Sequence, residues 1–108
     1  MVRTYQEELQ ARREACKEVR ALFERIANLI GAKVDSTTIT SVEIDDNFFI
    51  SVFQKPKNVH ISLVRNLHQP CGRGNFRVDF ITLKPDASDK KILNAYNKLI
   101  KEAKEIEL

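Results

Sequence analysis

Residues 47–65 read NFFISVFQKPKNVHISLVR, and their alternation decides the fold. Two strand-like runs flank a turn, Lys55-Pro56-Lys57-Asn58, with Pro56 suited to a first central turn position. One set of alternate positions is wholly apolar: Phe48, Ile50 and Val52, then Val59, Ile61 and Leu63. The other set is mixed: Phe49, Ser51 and Phe53, then His60, Ser62 and Val64. Successive strand side chains point to opposite faces, so the first set builds a core and the second meets something else.

The same period extends outward to four strands, near 37–44, 48–54, 58–65 and 76–83, rich in Val, Ile, Thr and Phe. On the first, Val42 and Ile44 go inward, while Ile39, Ser41 and Glu43 go outward. On the fourth, strict alternation sends Phe76, Val78 and Phe80 to the core. It sends Arg77, Asp79, Ile81 and Leu83 to the second face. Asp45-Asp46-Asn47 makes the first turn, and NLHQPCGRGN, residues 66–75, reads as a long loop.

Helices flank the strands. Residues 4–30 open on Thr4-Tyr5-Gln6-Glu7, the spacing of a capping box, and close on Gly31. Leu9, Cys16, Val19, Phe23, Ile26 and Ile30 recur in steps of three and four, which predicts an amphipathic helix with Cys16 in its buried stripe. Such a helix is about 40 Å long. Strands of about six residues span only ~20 Å, so its first turns overhang the sheet. Tyr5 and Leu9 are the interface candidates there. Residues 88–106 predict a second helix, capped by Ser88 or Asp86, with Ile92, Leu93, Tyr96, Leu99, Ile100 and Ala103 as its apolar stripe. The order is α-β-β-β-β-α. It predicts an α+β two-layer sandwich: a four-stranded antiparallel meander with both helices on one face, as a single domain over residues 1–108.

Composition agrees with one globular domain: 108 residues, 43% hydrophobic and 31% charged. No apolar run approaches the roughly 18 residues of a membrane span, and the opening MVRTYQEELQ has no secretory core. A cytoplasmic chain with Cys16 and Cys71 reduced is the expectation. Net charge is +3, unevenly spread. Residues 47–84 carry Lys55, Lys57, Arg65, Arg73, Arg77 and Lys84 against Asp79 alone, while residues 35–46 are purely acidic. Basic excess on the sheet and its loops favours an anionic partner.

The second sheet face is too apolar to be left in water and too polar for a core. It suits nucleic acid, single-stranded or RNA, with Phe49 and Phe53 stacking bases, His60 beside them, and Lys55, Lys57, Arg73, Arg77 and Lys84 holding phosphates. It equally suits a protein partner or a homodimer, through Phe49, Phe53, Val64 and Ile81, with Tyr5 and Leu9 on the overhang. In a meander, Lys33, Lys55, Lys57 and Lys84 gather at one end. Gly72-Arg73-Gly74 offers an anion nest at a loop tip.

Other chemistry has thinner support. His68-x-x-Cys71, with His60 or Cys16 as a third donor, lacks the two close pairs of a zinc site. Cys71 beside Arg73 is a candidate reactive thiol, yet no orienting group accompanies it and a histidine. Asp79 and Arg77 read as a surface ion pair on one face. The expectation is a non-enzymatic binding module with no metal, cofactor, small-molecule substrate or membrane.

Overall fold

A computed structural model describes residues 4–69 and 72–106. Helix α1 spans Tyr5–Ile30. The Thr4 N–H donates to Glu7 Oε2 at 3.3 Å, and the Glu7 N–H donates back to Thr4 Oγ1 at 3.2 Å. Both ends of the predicted capping box are therefore made. Gly31 ends the helix at φ 80°, where its N–H reaches the Ala27 carbonyl. A Cβ there would touch nothing within 4 Å, so the left-handed backbone alone asks for glycine.

Strands β1 (Ile39–Glu43), β2 (Phe48–Gln54), β3 (Val59–Gln69) and β4 (Gly72–Leu83) follow. They pair antiparallel in the order β1-β2-β3-β4. Helix α2 spans Asp89–Ile106, and Ser88 caps it by accepting from the Lys91 N–H at 3.2 Å. The fold is α+β, in the predicted order.

Both helices pack on one face of the sheet. Phe48, Ile50, Val52, Val59, Ile61 and Leu63 are all 1% exposed or less. They meet Val19, Leu22, Phe23 and Ile26 of α1, and Ile92 and Leu99 of α2, in one core. Each such side chain contributes about 1.5–3 kcal/mol of burial free energy. Arg25 ties the helices together, pairing with Asp89 at 3.2 Å and donating to the Ala87 carbonyl.

Three expectations are corrected. The first concerns β4. Val64 pairs with Arg77, but Leu63 pairs with Asp79, so Val78 is an extra residue, a β-bulge. One extra residue inverts the parity beyond it. Ile81 and Leu83 turn to the helices, Leu83 fully buried and Ile81 packed on the core. Asp79 goes with them, and Phe80 turns outward at 42% exposure. Arg77, before the bulge, keeps its predicted outward face. Phe76 lies beyond the helices' reach and is 59% exposed rather than core.

The second concerns residues 66–75. The β3–β4 ladder continues through Leu67↔Gly74, His68↔Arg73 and Gln69↔Gly72, so most of the expected loop is a protruding hairpin. Gly74 is extended and packs on Leu67, and the ladder leaves no nest at Gly72-Arg73-Gly74. The Arg73 and His68 side chains, and Cys71 entirely, lie outside the described residues. The third is Cys16, which is exposed. Burial on α1 begins at Val19. Arg20 sits where the helix reaches the sheet, donating to the Thr37 carbonyl at 2.6 Å and to Gln54 Oε1 at 3.3 Å. The preceding turns project, with Tyr5 80% exposed.

Candidate functional site

The outer sheet face is laid out by the register in three rows across the strands. Ile39, Phe53, His60 and Thr82 form one. Ser41, Ser51, Ser62 and Phe80 form the next, and Glu43, Phe49, Val64 and Arg77 the third. Neither helix covers this face.

Between these rows lies a shallow depression of about 250 Å³. Ser51, Phe53, Lys55, His60, Ser62, Val64 and Arg77 line it. Two phenyl rings, Phe53 in its lining and Phe80 beside it, are each met by a cation from the lining. Lys55 Nζ stands 4.8 Å from the Phe53 ring centroid, and the Arg77 guanidinium carbon 4.5 Å from that of Phe80. His60 stacks on Phe80 with centroids 5.1 Å apart and planes 24° apart. Arg77 and His60 lie in the rows on either side of Phe80. The three therefore form a column, guanidinium–phenyl–imidazole, across β3 and β4.

Charge in the depression has one sign. Burial is the main reason the His60 imidazole is held below its usual pKa, and the positive charges of Lys55 and Arg77 lower it further. Arg77 makes no ion pair among the described residues. The bulge is the cause: it carries Asp79, expected beside Arg77, to the opposite face. There Asp79 meets Glu102 of α2. Burial comes first, then the hydrogen bond and negative charge of Asp79, in raising the Glu102 carboxyl above the usual carboxylate range. Lys98, Lys101 and Glu105 complete that polar hollow.

Of the expected contact residues, Phe53, His60, Lys55 and Arg77 come together. Phe49 is half-buried and Val64 9% exposed, both on the outer face, one row from the serines. Lys57 and Lys84 belong to the adjoining end. The pairs Gln54↔Val59 and Val59↔Leu83 place the β2–β3 turn beside the exit of β4. Lys33 joins that end, its carbonyl accepting from Thr40 Oγ1 at 2.6 Å. Ile81 does not belong to the face. Tyr5 and Leu9 lie on α1, which packs against the opposite side. Sequence reasoning missed Phe80 and the Asp79–Glu102 pair. One signal for both was present: burying the aliphatic Ile81 and Leu83 in place of Phe80 requires a parity shift upstream.

No protein-family model, curated protein or solved structure matches this chain. Among the described residues no group of three or more His, Cys, Asp or Glu is placed to hold a metal, and no helix is long and apolar enough to cross a membrane.

Proposed function

We propose that this chain is a small, non-catalytic module that binds single-stranded nucleic acid on the outer face of its sheet. The observation that carries the reading is the depression whose lining holds Phe53, met by Lys55, and Arg77, which stands on the adjoining Phe80, with no carboxylate in the lining. Stacking on exposed aromatics holds bases at about 1–3 kcal/mol each, and Lys or Arg holds the phosphates. Lys55 and Arg77 serve the depression, with Lys57 and Lys84 on the rim and Arg73 on the projecting hairpin. In the free protein Phe80 already has a neighbour in the row on each side, so a base joins that column by stacking on the Arg77 guanidinium plane. A cytoplasmic setting with reduced thiols accompanies this reading.

A second reading is a homodimer or protein contact through the same face. Ile39, Phe53 and Phe80 favour it, at 52%, 36% and 42% exposure on one surface. Size exclusion with light scattering separates the two, run with and without a short mixed-sequence RNA at low and high salt. Nucleic-acid binding gives a mass shift at low salt that high salt reverses, because neutralised phosphates release counterions. Lys55→Glu with Lys57→Glu abolishes that shift. A dimer that ignores RNA and salt, and that Phe53→Arg splits, overturns the first reading in favour of the second.

A further inference from the structure

The outer face is not flat. Ser41, Ser51 and Ser62 align across β1, β2 and β3, and Phe80 stops their row at β4. Same-face neighbours along a strand are about 7 Å apart, and strands about 4.8 Å apart. The serines therefore floor a trench about 10 Å long between walls whose backbones stand about 14 Å apart. Phe53 and His60 stand in one wall, Val64 and Arg77 in the other.

Ser62 is the telling residue. It is 7% exposed and is the one buried polar residue among the described residues. Its hydroxyl makes no hydrogen bond to another described residue and faces the depression that it lines. The hydroxyl opens onto the depression rather than being sealed in the core, so it is free to hydrogen-bond a group entering the trench. Ser51, its direct neighbour on β2, offers a second hydroxyl at the same depth of the register.

We infer that this trench is a slot for one unpaired nucleobase. The base stacks against Phe53, and the Ser51 and Ser62 hydroxyls hydrogen-bond its edge. Lys55, reaching over the Phe53 wall, and Arg77, in the facing wall, hold the flanking phosphates. This rests on the nucleic-acid reading above and adds what that reading leaves open, the unit recognised. The single-sign charge of the lining selects a polyanion over a peptide. Bases inside a duplex are stacked and paired, so a duplex cannot fill the slot. A hydroxyl both donates and accepts, so the slot separates a base from no base more sharply than one base from another.

The test compares fluorescein-labelled RNA hexamers, each a homopolymer of one base, with an abasic hexamer of equal charge. Affinities are read by fluorescence anisotropy at low salt. Base-containing hexamers are expected to bind at least about tenfold tighter than the abasic one, the order of one stacked base. Ser62→Val and, separately, Ser51→Val fill the trench. Each is expected to erase most of that ratio and leave abasic affinity unchanged. Valine suits strands, and a thermal melt of each variant confirms that it folds. Equal affinity for abasic and base-containing strands overturns the slot and the stacking, leaving phosphate contacts alone, whereas a ratio that survives both variants overturns the slot while the broader reading stands. Absence of binding to every strand overturns both.

Discussion

His60 shows how one side chain registers its surroundings. Desolvation first, then Lys55 and Arg77, hold its imidazole below the ordinary value of 6.5. Above that pH the group is neutral both folded and unfolded and contributes no pH dependence. As pH falls through the unfolded value, the unfolded chain takes up the proton more readily, so stability declines until the folded pKa is passed. Thermal melts from pH 8 to pH 5 are expected to show a falling Tm for the native chain. The His60→Gln variant is expected to fall less over the same window. Phe53, His60, Lys55 and Arg77 were legible as one group because the β2–β3 alternation is unbroken. Phe80 was not, because its neighbours Arg77, Val78 and Asp79 include no glycine or proline to mark the bulge.

At the scale of elements, β4 shows how one inserted residue sorts charge. Its C-terminal half is anchored by Ile81 and Leu83 in the core, and Leu63 and Val64 already pair with Asp79 and Arg77, so deleting Val78 closes the bulge into a regular ladder. Arg77 keeps its place opposite Val64 on the outer face. Affinity for a single-stranded RNA hexamer, read by anisotropy, is expected to stay well above that of Arg77→Ala, with the far-ultraviolet dichroism of the fold retained. Docking of α2 on β4 is the second case. Burial first, then Asp79, holds the Glu102 carboxyl above its ordinary pKa, so its contribution is fully present below its unfolded pKa and is lost as pH rises through the raised folded value. Glu102→Gln keeps a donor for Asp79 without needing a proton. It is expected to raise Tm at pH 7 relative to the native chain, and the gain should shrink near pH 4, which melts at the two pH values check.

For the whole molecule, shape and stability come from different parts. The radius of gyration is 16.3 Å, with extents of 56 × 36 × 25 Å. A compact chain of this length has about 13 Å, so the projecting turns of α1 and the β3–β4 hairpin carry the excess. Stability sits in the layer between helices and sheet. Leu99 is fully buried there, and Leu99→Ala is expected to cost about 2–5 kcal/mol in urea unfolding. Truncating Tyr5 to alanine, at 80% exposure, is expected to change stability by about 0.5 kcal/mol or less in the same measurement.

The amino-acid sequence alone determined the six elements, the capping box at Thr4, the glycine stop at Gly31 and the inward face of β1 to β3. Each rests on a local signal, a spacing or a period, that needs no distant partner. Only the tertiary structure decided which side of β4 is which, that residues 66–69 and 72–75 pair instead of looping, and that Cys16 stays exposed. Those depend on how far the helices reach and where the ladder admits an extra residue. Burial of Ile81 and Leu83 against α1 and α2 outweighs strict alternation, and the outward turn of Phe80 follows from it.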